Sequence, residues 1–485
     1  MRFYACVAAC TVALAALSPG HAAAADPLRQ SRGPLYADGA AVRAAGNWVA
    51  KDIPPTPPSR PAIPAGRGEP DRLAADVTRG APDRLAADGT SAPPGMNLAE
   101  LETIALGNNP TLVQAAMRVR AAQGKLLQAG LYPNPTIGYL GDEIGNEGRA
   151  GFQGARLGQE IVTGGKLQAR SAVAAREIEQ AEFAFQSQRL RVLNDVRSLW
   201  YDVLAAQHAI KLNEKLVDIG QQGVTTAEQL LSAKEVSRLD VLQARIEADA
   251  ARLQLVNAQN RHRAVWRRLA AVAGTPDLKP APLAGSLEEQ VPELAWDGVL
   301  LRLWQESPEL AEAHAGVRRA RSVLTQQCAE RFANVDLGGK VQYDSATNYT
   351  VAGVEVGMAL PIFNRNQGNI SQAQAQLVSA EREVRRVELA LQERLAAVFE
   401  QYDNARNEVV KYAADILPNA QTSLDLVLAA YKQAQIDYVT LLTAQRTYSR
   451  VKLAYLESLR QYHLSRTVLD GLLLSGGLQR SGGGE

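Results

Sequence analysis

The sequence predicts a mostly α-helical protein with a small transmembrane β part, built from a duplicated helix–strand–strand–long helix–helix unit. Two observations predict this fold class. The 485 residues are 46% apolar but only 5% aromatic, which is typical of long Ala- and Leu-rich helices and not of an aromatic all-β core. In addition, residues 236–244 match residues 436–444, 200 positions later. A match at so long a period indicates duplication of a large unit.

The residues that precede the repeats are of two kinds. Residues 1–25 have the pattern of a signal peptide, with Arg2 followed by an apolar stretch and four small residues at 22–25. We expect ordinary cleavage there and export of the mature chain. Residues 26–95 contain 12 of the 23 prolines. Because proline removes backbone donors and fixes φ, this segment is predicted to be a disordered linker.

Composition also excludes several classes of function. Lys and Arg number 52 and Asp and Glu 51, a net charge of +1, so we expect no nucleic acid partner. Without the leader, Cys328 is the single cysteine, which excludes an internal disulfide. The five histidines are scattered without metal-ligand spacing. We therefore expect no enzyme activity, no cofactor and no metal site.

The first repeat is predicted over 96–275 and the second over 307–472. Each begins with a proline-opened helix of about 22 residues, followed by two strand-like runs in which apolar residues alternate with small or polar ones. The predicted helices are 110–131 and 308–329, and the predicted strands are 136–142, 152–162, 335–343 and 349–362.

A long helix and a returning helix complete each repeat. The long helices are predicted over 165–231 and 365–431 and are about 100 Å long, with apolar residues at the 4–3 spacing of a coiled coil. Pro418 should bend or end the second one locally. The returning helices are predicted over 235–272 and 435–470. Residues 276–306 are expected to be a connection, and 473–485 a flexible Gly-rich tail.

These elements imply an assembly of several chains. Four strands cannot close a barrel, and in a membrane every backbone N–H and C=O must be hydrogen-bonded. Strands of about 10 residues span a bilayer when tilted, so three chains would supply a 12-stranded barrel. Two long helical hairpins with narrow apolar stripes likewise cannot bury themselves alone. Each chain is thus predicted to form one segment of the wall of a cylindrical assembly, with β structure at one end.

The chain resembles the TolC family of outer-membrane efflux proteins over 97–475. The resemblance is carried by residues 239–244 and 441–445, by Tyr431, by Leu-Pro-Ile-Phe-Asn at 360–364 and by Ile-Leu-Pro-Asn-Ala at 416–420. The last two motifs are most similar to the heavy-metal (CzcC-like) branch. The resemblance implies a homotrimer with a 12-stranded barrel in outer-membrane lipid, an α-helical coiled-coil barrel in the periplasm and an equatorial connection.

What the resemblance implies about function is passive transport. The trimer would be the outer-membrane channel of a tripartite efflux system, with a periplasmic adaptor (membrane fusion) protein and an inner-membrane pump of the RND type. Exported substrates would be heavy-metal cations or small toxic compounds. Two alternatives stay open: the outer-membrane duct of a type I protein-secretion system, and a periplasmic coiled-coil scaffold.

In this family the two hairpin turns form the periplasmic aperture, and they map to 231–240 and 431–440. Tyr431 and Asp240 match positions that hold the closed state. Thr440 and Thr443 replace an acidic pair, Ile436 replaces a gating arginine, and Lys234 replaces a turn glycine. We therefore expect a constriction of weak charge. The residues expected at the aperture or adaptor contact are Lys234, Arg238, Asp240, Gln243, Tyr431, Ile436, Tyr438, Thr440 and Thr443.

Overall fold

The computed structural model describes residues 95–288, 292–433 and 435–479. The predicted signal peptide and all but the last residue of the predicted linker lie outside the described residues. The first half contains α1 (Leu98–Asn108), α2 (Pro110–Ala129), β1 (Thr136–Asp142), β2 (Phe152–Ile161), α3 (Lys166–Ser232) and α4 (Arg238–Val272).

The second half repeats this order. It contains α5 (Trp296–Glu306), α6 (Pro308–Ala329), β3 (Val335–Asp344), β4 (Tyr349–Met358), α7 (Gln367–Lys411), α8 (Leu417–Lys432) and α9 (Tyr438–Asp470). The predicted duplication is therefore present in the structure. None of the helices among the described residues is both long and apolar enough to cross a membrane.

The short helices α1 and α5 were not expected from the sequence. Each has 11 residues and leads directly into a proline-opened helix. Asn109 and Ser307 each serve as the C-cap of the short helix and as the N-cap of the next one. Helices of this length depend on tertiary packing for their stability.

Pro418 interrupts the second long helix as predicted. A π-helical turn, Tyr412–Ile416, separates α7 from α8, and the N–H of Leu417 donates to the carbonyl of Tyr412. Proline has no N–H and its ring clashes with the carbonyl four residues earlier, so the backbone widens by one residue before it. In the first half α3 continues without a break for 67 residues.

The four strands form one antiparallel sheet in the order β1-β2-β3-β4. β2 of the first half pairs with β3 of the second half over ten residue pairs. The prediction that β4 continues to residue 362 is wrong, because Met358 is paired with Val335, the first residue of β3. Beyond that pair β4 has no partner on this side. β1 and β4 are the edges of the sheet.

The two faces of the sheet differ in polarity. Exposed apolar side chains from all four strands lie on one face, among them Ile137, Leu157, Val341, Val354 and Val356. The alternate positions carry mostly glycines and charged residues, with Leu140, Phe152, Tyr349 and Val351 as apolar members. This alternation is the pattern of a strand with one apolar and one polar side.

A large apolar core lies around the middle of the long helices. It joins residues from α1, α3, α4, α5, α7 and α9, and its largest fully buried side chains are Trp266, Tyr402 and Tyr462. His463 lies in the same region, where its Nε2 is 2.8 Å from the carbonyl oxygen of Leu287 and its ring stacks on Tyr201. The two halves of the chain thus share one core here.

Residues 471–479 are hydrogen-bonded to α3. The expectation of a flexible tail from residue 473 is therefore wrong for 473–479. Asn194 Nδ2 donates to the carbonyls of Gly471 and Leu474, each at 2.8 Å. The Asp195 carboxylate accepts the N–H groups of Gly476 and Gly477 at 3.0 and 2.6 Å. Leu472, Leu473 and Leu474 are buried, and this run of three leucines is the physical reason that the segment packs.

Candidate functional site

The two hairpin turns, α3–α4 and α8–α9, end their long helices in the same way. The N–H of Glu235 donates to the carbonyl of Leu230 at 2.9 Å, and the N–H of Gln435 donates to that of Ala430 at 3.0 Å. This bond closes a helix end at which one residue adopts the left-handed conformation. Lys234 occupies that position with φ of 63°. The missing turn glycine therefore changes the residue type of the turn but not its backbone geometry.

The returning helices begin with side-chain caps. The Asp240 carboxylate accepts the backbone N–H of Ser237 at 2.8 Å, and Ser237 Oγ accepts the N–H of Asp240 in return. At the equivalent place in the second half, the Asp437 carboxylate accepts the N–H of Thr440 at 3.3 Å and is also bonded by the Thr440 hydroxyl. Asp240 is therefore a helix-capping residue in the isolated chain, in addition to its expected place at the aperture.

An apolar cluster lies directly beside the turns, and we call it the turn cluster. Its buried members come from all four helices of the two hairpins, and Ile436 packs against them. They are Val224, Ala227, Val241, Ala244, Ala248, Tyr431, Tyr438, Leu441 and Leu442. The turn cluster is separate from the large core, so this end of the helices is held by contacts of its own.

Two buried tyrosines stand at the end of the turn cluster. The rings of Tyr431 and Tyr438 are 6.0 Å apart at an interplanar angle of 60°. Burial, and then the Asp240 carboxylate, raise the pKa of Tyr431. Burial, and then the neighbouring Tyr431, raise the pKa of Tyr438 to about 12. No hydrogen bond joins Tyr431 to Asp240 in the described part of the chain, but the carboxylate is close enough to disfavour the tyrosinate.

The raised pKa of Tyr438 makes a direct prediction about alkaline titration. In the ultraviolet titration of the folded protein, the difference between wild type and Tyr438→Phe should show a phenol that ionises near pH 12. The folded pKa lies above the ordinary tyrosine value of about 10. The contribution of Tyr438 to stability is therefore complete below about pH 10 and is lost as pH rises through 12. A difference curve centred near pH 10 would contradict a buried Tyr438.

An ion pair connects the two hairpins near the turns. Arg446 on α9 contacts the Glu247 carboxylate on α4, with Nη2 at 2.7 Å and Nε at 3.1 Å. Sequence reasoning missed this pair. The signal that would have found it is the opposite charge at nearly equivalent positions of the two returning helices.

The remaining predicted residues are more exposed. Lys234, Arg238, Thr440 and Thr443 are exposed at or near the turns. The Thr443 hydroxyl donates to the Val439 carbonyl of its own helix. Gln243 is partly buried, and its Oε1 has no hydrogen-bond partner among the described residues. The structure thus brings Tyr431, Ile436 and Tyr438 into one cluster, while the threonines present only hydroxyls.

No metal-binding constellation accompanies these residues. Within 95–288, 292–433 and 435–479, no group of three or more His, Cys, Asp or Glu side chains is placed to hold a metal ion. The turns carry exposed polar and charged side chains beside the apolar turn cluster. Groups of this kind can contact another protein.

Comparison with protein families gives one match that covers both repeats. The model of the outer membrane efflux protein family matches residues 102–275 and 299–473, which is more than half of the chain. The chain is also similar to the cobalt-zinc-cadmium resistance protein CzcC of Cupriavidus metallidurans. The two are 26% identical over 371 residues, 76% of this chain and 88% of the relative.

Solved structures have the same fold at lower identity. The outer membrane protein VceC of Vibrio cholerae aligns with a TM-score of 0.63 and 16% identity, over 78% of this chain and 96% of that one. The open state of the MtrE outer membrane channel of Neisseria gonorrhoeae aligns with a TM-score of 0.61 and 20% identity, over 78% and 89% of the two chains.

Proposed function

The chain belongs to the outer membrane efflux protein family, and we propose from this that three copies form the outer-membrane channel of a tripartite efflux system. The predicted family, the mostly helical fold and the outer-membrane location are confirmed. The family is one of efflux proteins and not of enzymes. A trimer would place three four-stranded sheets edge to edge, with the helical hairpins continuing them as a tunnel.

The observation that carries the proposal is the open sheet. β1 and β4 leave unpaired backbone groups at both edges, and the strands that end the sheet are 7 and 10 residues long. Apolar side chains such as Ile137 and Val354, each 82% exposed, cover one face. In lipid the backbone N–H and C=O groups at the edges of such a sheet must be hydrogen-bonded. Pairing β1 of one copy with β4 of the next would provide these hydrogen bonds and close the sheet into a barrel. Three copies then give the 12 strands.

We further propose that the hairpin turns contact a periplasmic adaptor protein and open toward an inner-membrane pump, which we propose is of the RND type. The exposed Lys234, Arg238, Thr440 and Thr443 are the groups available for the adaptor. Since Thr440 and Thr443 are neutral, these two positions add no charge to the aperture. Discrimination among substrates would then reside in the pump.

The substrates we propose are divalent heavy-metal cations. The basis is the similarity to a cobalt-zinc-cadmium resistance protein. Deleting the gene should make the host more sensitive to cobalt, zinc or cadmium, and the full-length gene should restore resistance. Sensitivity to drugs or loss of an exported protein, with unchanged metal resistance, would instead support a drug channel or a type I secretion duct.

The channel itself is tested by recording the purified detergent-solubilised protein in a planar bilayer and measuring its native mass. We expect a trimeric mass and discrete conductance steps. A soluble monomer or dimer without conductance would overturn the channel and support the periplasmic scaffold. A trimer without conductance would contradict the proposed passive channel.

Removing the Glu247–Arg446 ion pair should favour opening at the turns. Glu247→Gln breaks a link between the two hairpins, and an exposed pair of this kind shifts a two-state equilibrium by about two- to fivefold. We expect the open probability in single-channel records to rise by that factor.

The matched control is Glu228→Gln, which breaks the 2.7 Å pair with Arg245 inside one hairpin and should leave the open probability unchanged. Equal open probabilities for the two variants would exclude the Glu247–Arg446 pair from gating. In the same recordings, unchanged conductance in Asp240→Ala would assign Asp240 to helix capping alone.

A further inference from the structure

Most charged residues of the polar face lie at three separate levels along the length of the strands. Strand register and alternation place Asp142 and Asp344 together at the loop end of this face. Four residues further along the strands, Arg156 pairs directly with Lys340. Another four residues on, Glu160 pairs with Asp336 at the helix end. The sequence of charge along this face is therefore acidic, basic and acidic.

The three levels are further apart than the distance over which salt screens charges. Four residues of a strand rise about 13 Å, and the Debye length at physiological salt is about 8 Å. Glu355 is nearer, at the position paired with Gly338, but it is one acid beside two bases. The level of Arg156 and Lys340 therefore keeps a net positive charge. We call Arg156 and Lys340 the basic band.

Glycines hold the two basic side chains apart. Arg156 is paired with Gly138 on one side and Lys340 with Gly353 on the other. A Cβ added to Gly138 would lie 3.6 Å from Arg156 Cγ, and one added to Gly353 would lie 3.1 Å from Lys340 Cε. Each long side chain thus lies over the glycine of its outer neighbour. Like charges directly opposite each other destabilise a sheet, and this arrangement relieves the repulsion without removing either charge.

Neither basic side chain is neutralised within the chain. No ion pair of Arg156 or Lys340 occurs in the part of the chain that the structure describes, and both residues are exposed. They lie in the middle of a depression of about 560 Å³ on the polar face, which also has four carboxylates in its lining, those of Asp142, Glu160, Asp336 and Glu355. The basic band therefore faces open space on the polar side of the sheet, opposite the apolar side.

We propose that the basic band is an anion site in the lumen of the β-barrel, which binds small inorganic anions such as chloride and phosphate and lowers the cation selectivity of the outer-membrane end. This inference rests on the proposed function, because closure by three copies would bring six basic side chains into one ring. Rings of Arg and Lys are the structures by which pores attract anions.

The test is the reversal potential of single channels under a KCl gradient. We compare wild type with the double variant Arg156→Gln, Lys340→Gln, which keeps polar side chains at both positions and removes two charges per chain. We expect the permeability ratio of K⁺ to Cl⁻ to rise about threefold or more. A doubly charge-reversed variant, Arg156→Glu with Lys340→Glu, changes the charge by about four per chain and should move the ratio further in the same direction.

The matched control removes two exposed basic charges outside the sheet, with Arg267→Gln and Lys279→Gln, and should leave the ratio at the wild-type value. If channels form and the double variant has an unchanged ratio, the anion site is overturned while the channel function stands. If the control shifts the ratio as much as the double variant, net charge and not the basic band controls selectivity, and the proposal fails. If wild type forms no channels, the proposed function fails with it.

Discussion

Asn194→Ala is expected to lower the free energy of unfolding by about 2–4 kcal/mol. Asn194 is 1% exposed on α3, and its amide donates to two backbone carbonyls of the C-terminal segment, those of Gly471 and Leu474. The variant leaves both carbonyls buried without a donor. The side chain's own Oδ1 has no partner among the described residues, so its removal offsets part of the loss.

The matched control is Asn213→Ala on the same helix. Asn213 is also buried, at 4% exposure, but its amide donates only to the Ala209 carbonyl one turn earlier. We expect it to cost about 1 kcal/mol or less. Thermal unfolding of the detergent-solubilised protein, followed by circular dichroism, compares the two. Protease sensitivity of the C-terminal segment should increase only in Asn194→Ala. Equal stabilities would show that residues 471–479 are held by their leucines and not by the asparagine.

Gly154→Ala is expected to prevent formation of the sheet and with it the channel. A Cβ at position 154 would overlap the carbonyl oxygen of Val341 and would lie 2.6 Å from the Cα of Gln342. These are backbone atoms of the paired strand β3, which cannot move away without breaking the ladder between β2 and β3. The expected results are loss of conductance and loss of the trimeric mass.

Gly339→Ala is the control for that variant. Gly339 lies on the neighbouring strand β3, and a Cβ added there would meet no atom within 4 Å. The same substitution should therefore leave assembly and conductance at wild-type levels. A fully active Gly154→Ala protein would mean that the strands are spaced more widely around position 154 than the structure has them.

Much of the fold follows from local patterns. The strands β1, β2 and β3 were predicted within one residue at each end, because alternation and flanking turn residues mark both limits. The 67-residue helix α3 was predicted within one residue for a similar reason, since a glycine pair precedes it. β4 was predicted four residues too long because Leu360 continues the alternation, and only the partner strand reveals where pairing ends.

The features that were not predicted depend on contacts between distant residues. α1 and α5 have only 11 residues each and are stable because they pack on the shared core, although α5 carries apolar residues at helical spacing. The segment 471–479 is held to α3 by hydrogen bonds of Asn194 and Asp195, which are about 280 residues earlier in the chain. The Glu247–Arg446 pair joins two hairpins from different repeats. No local pattern encodes such pairs.

The pairing of β2 with β3 has a kinetic consequence. Phe152 and Asp344 are partners although 192 positions separate them in the chain, so the central ladder of the sheet cannot form until most of the polypeptide has been synthesised and exported. Contacts of such long range make folding slow, because the loop between them must close first. Until then β2 presents an unpaired edge beside an apolar face. Such an edge is a site at which chains aggregate, and the chain is exposed to this for longer as the helices between the strands become longer.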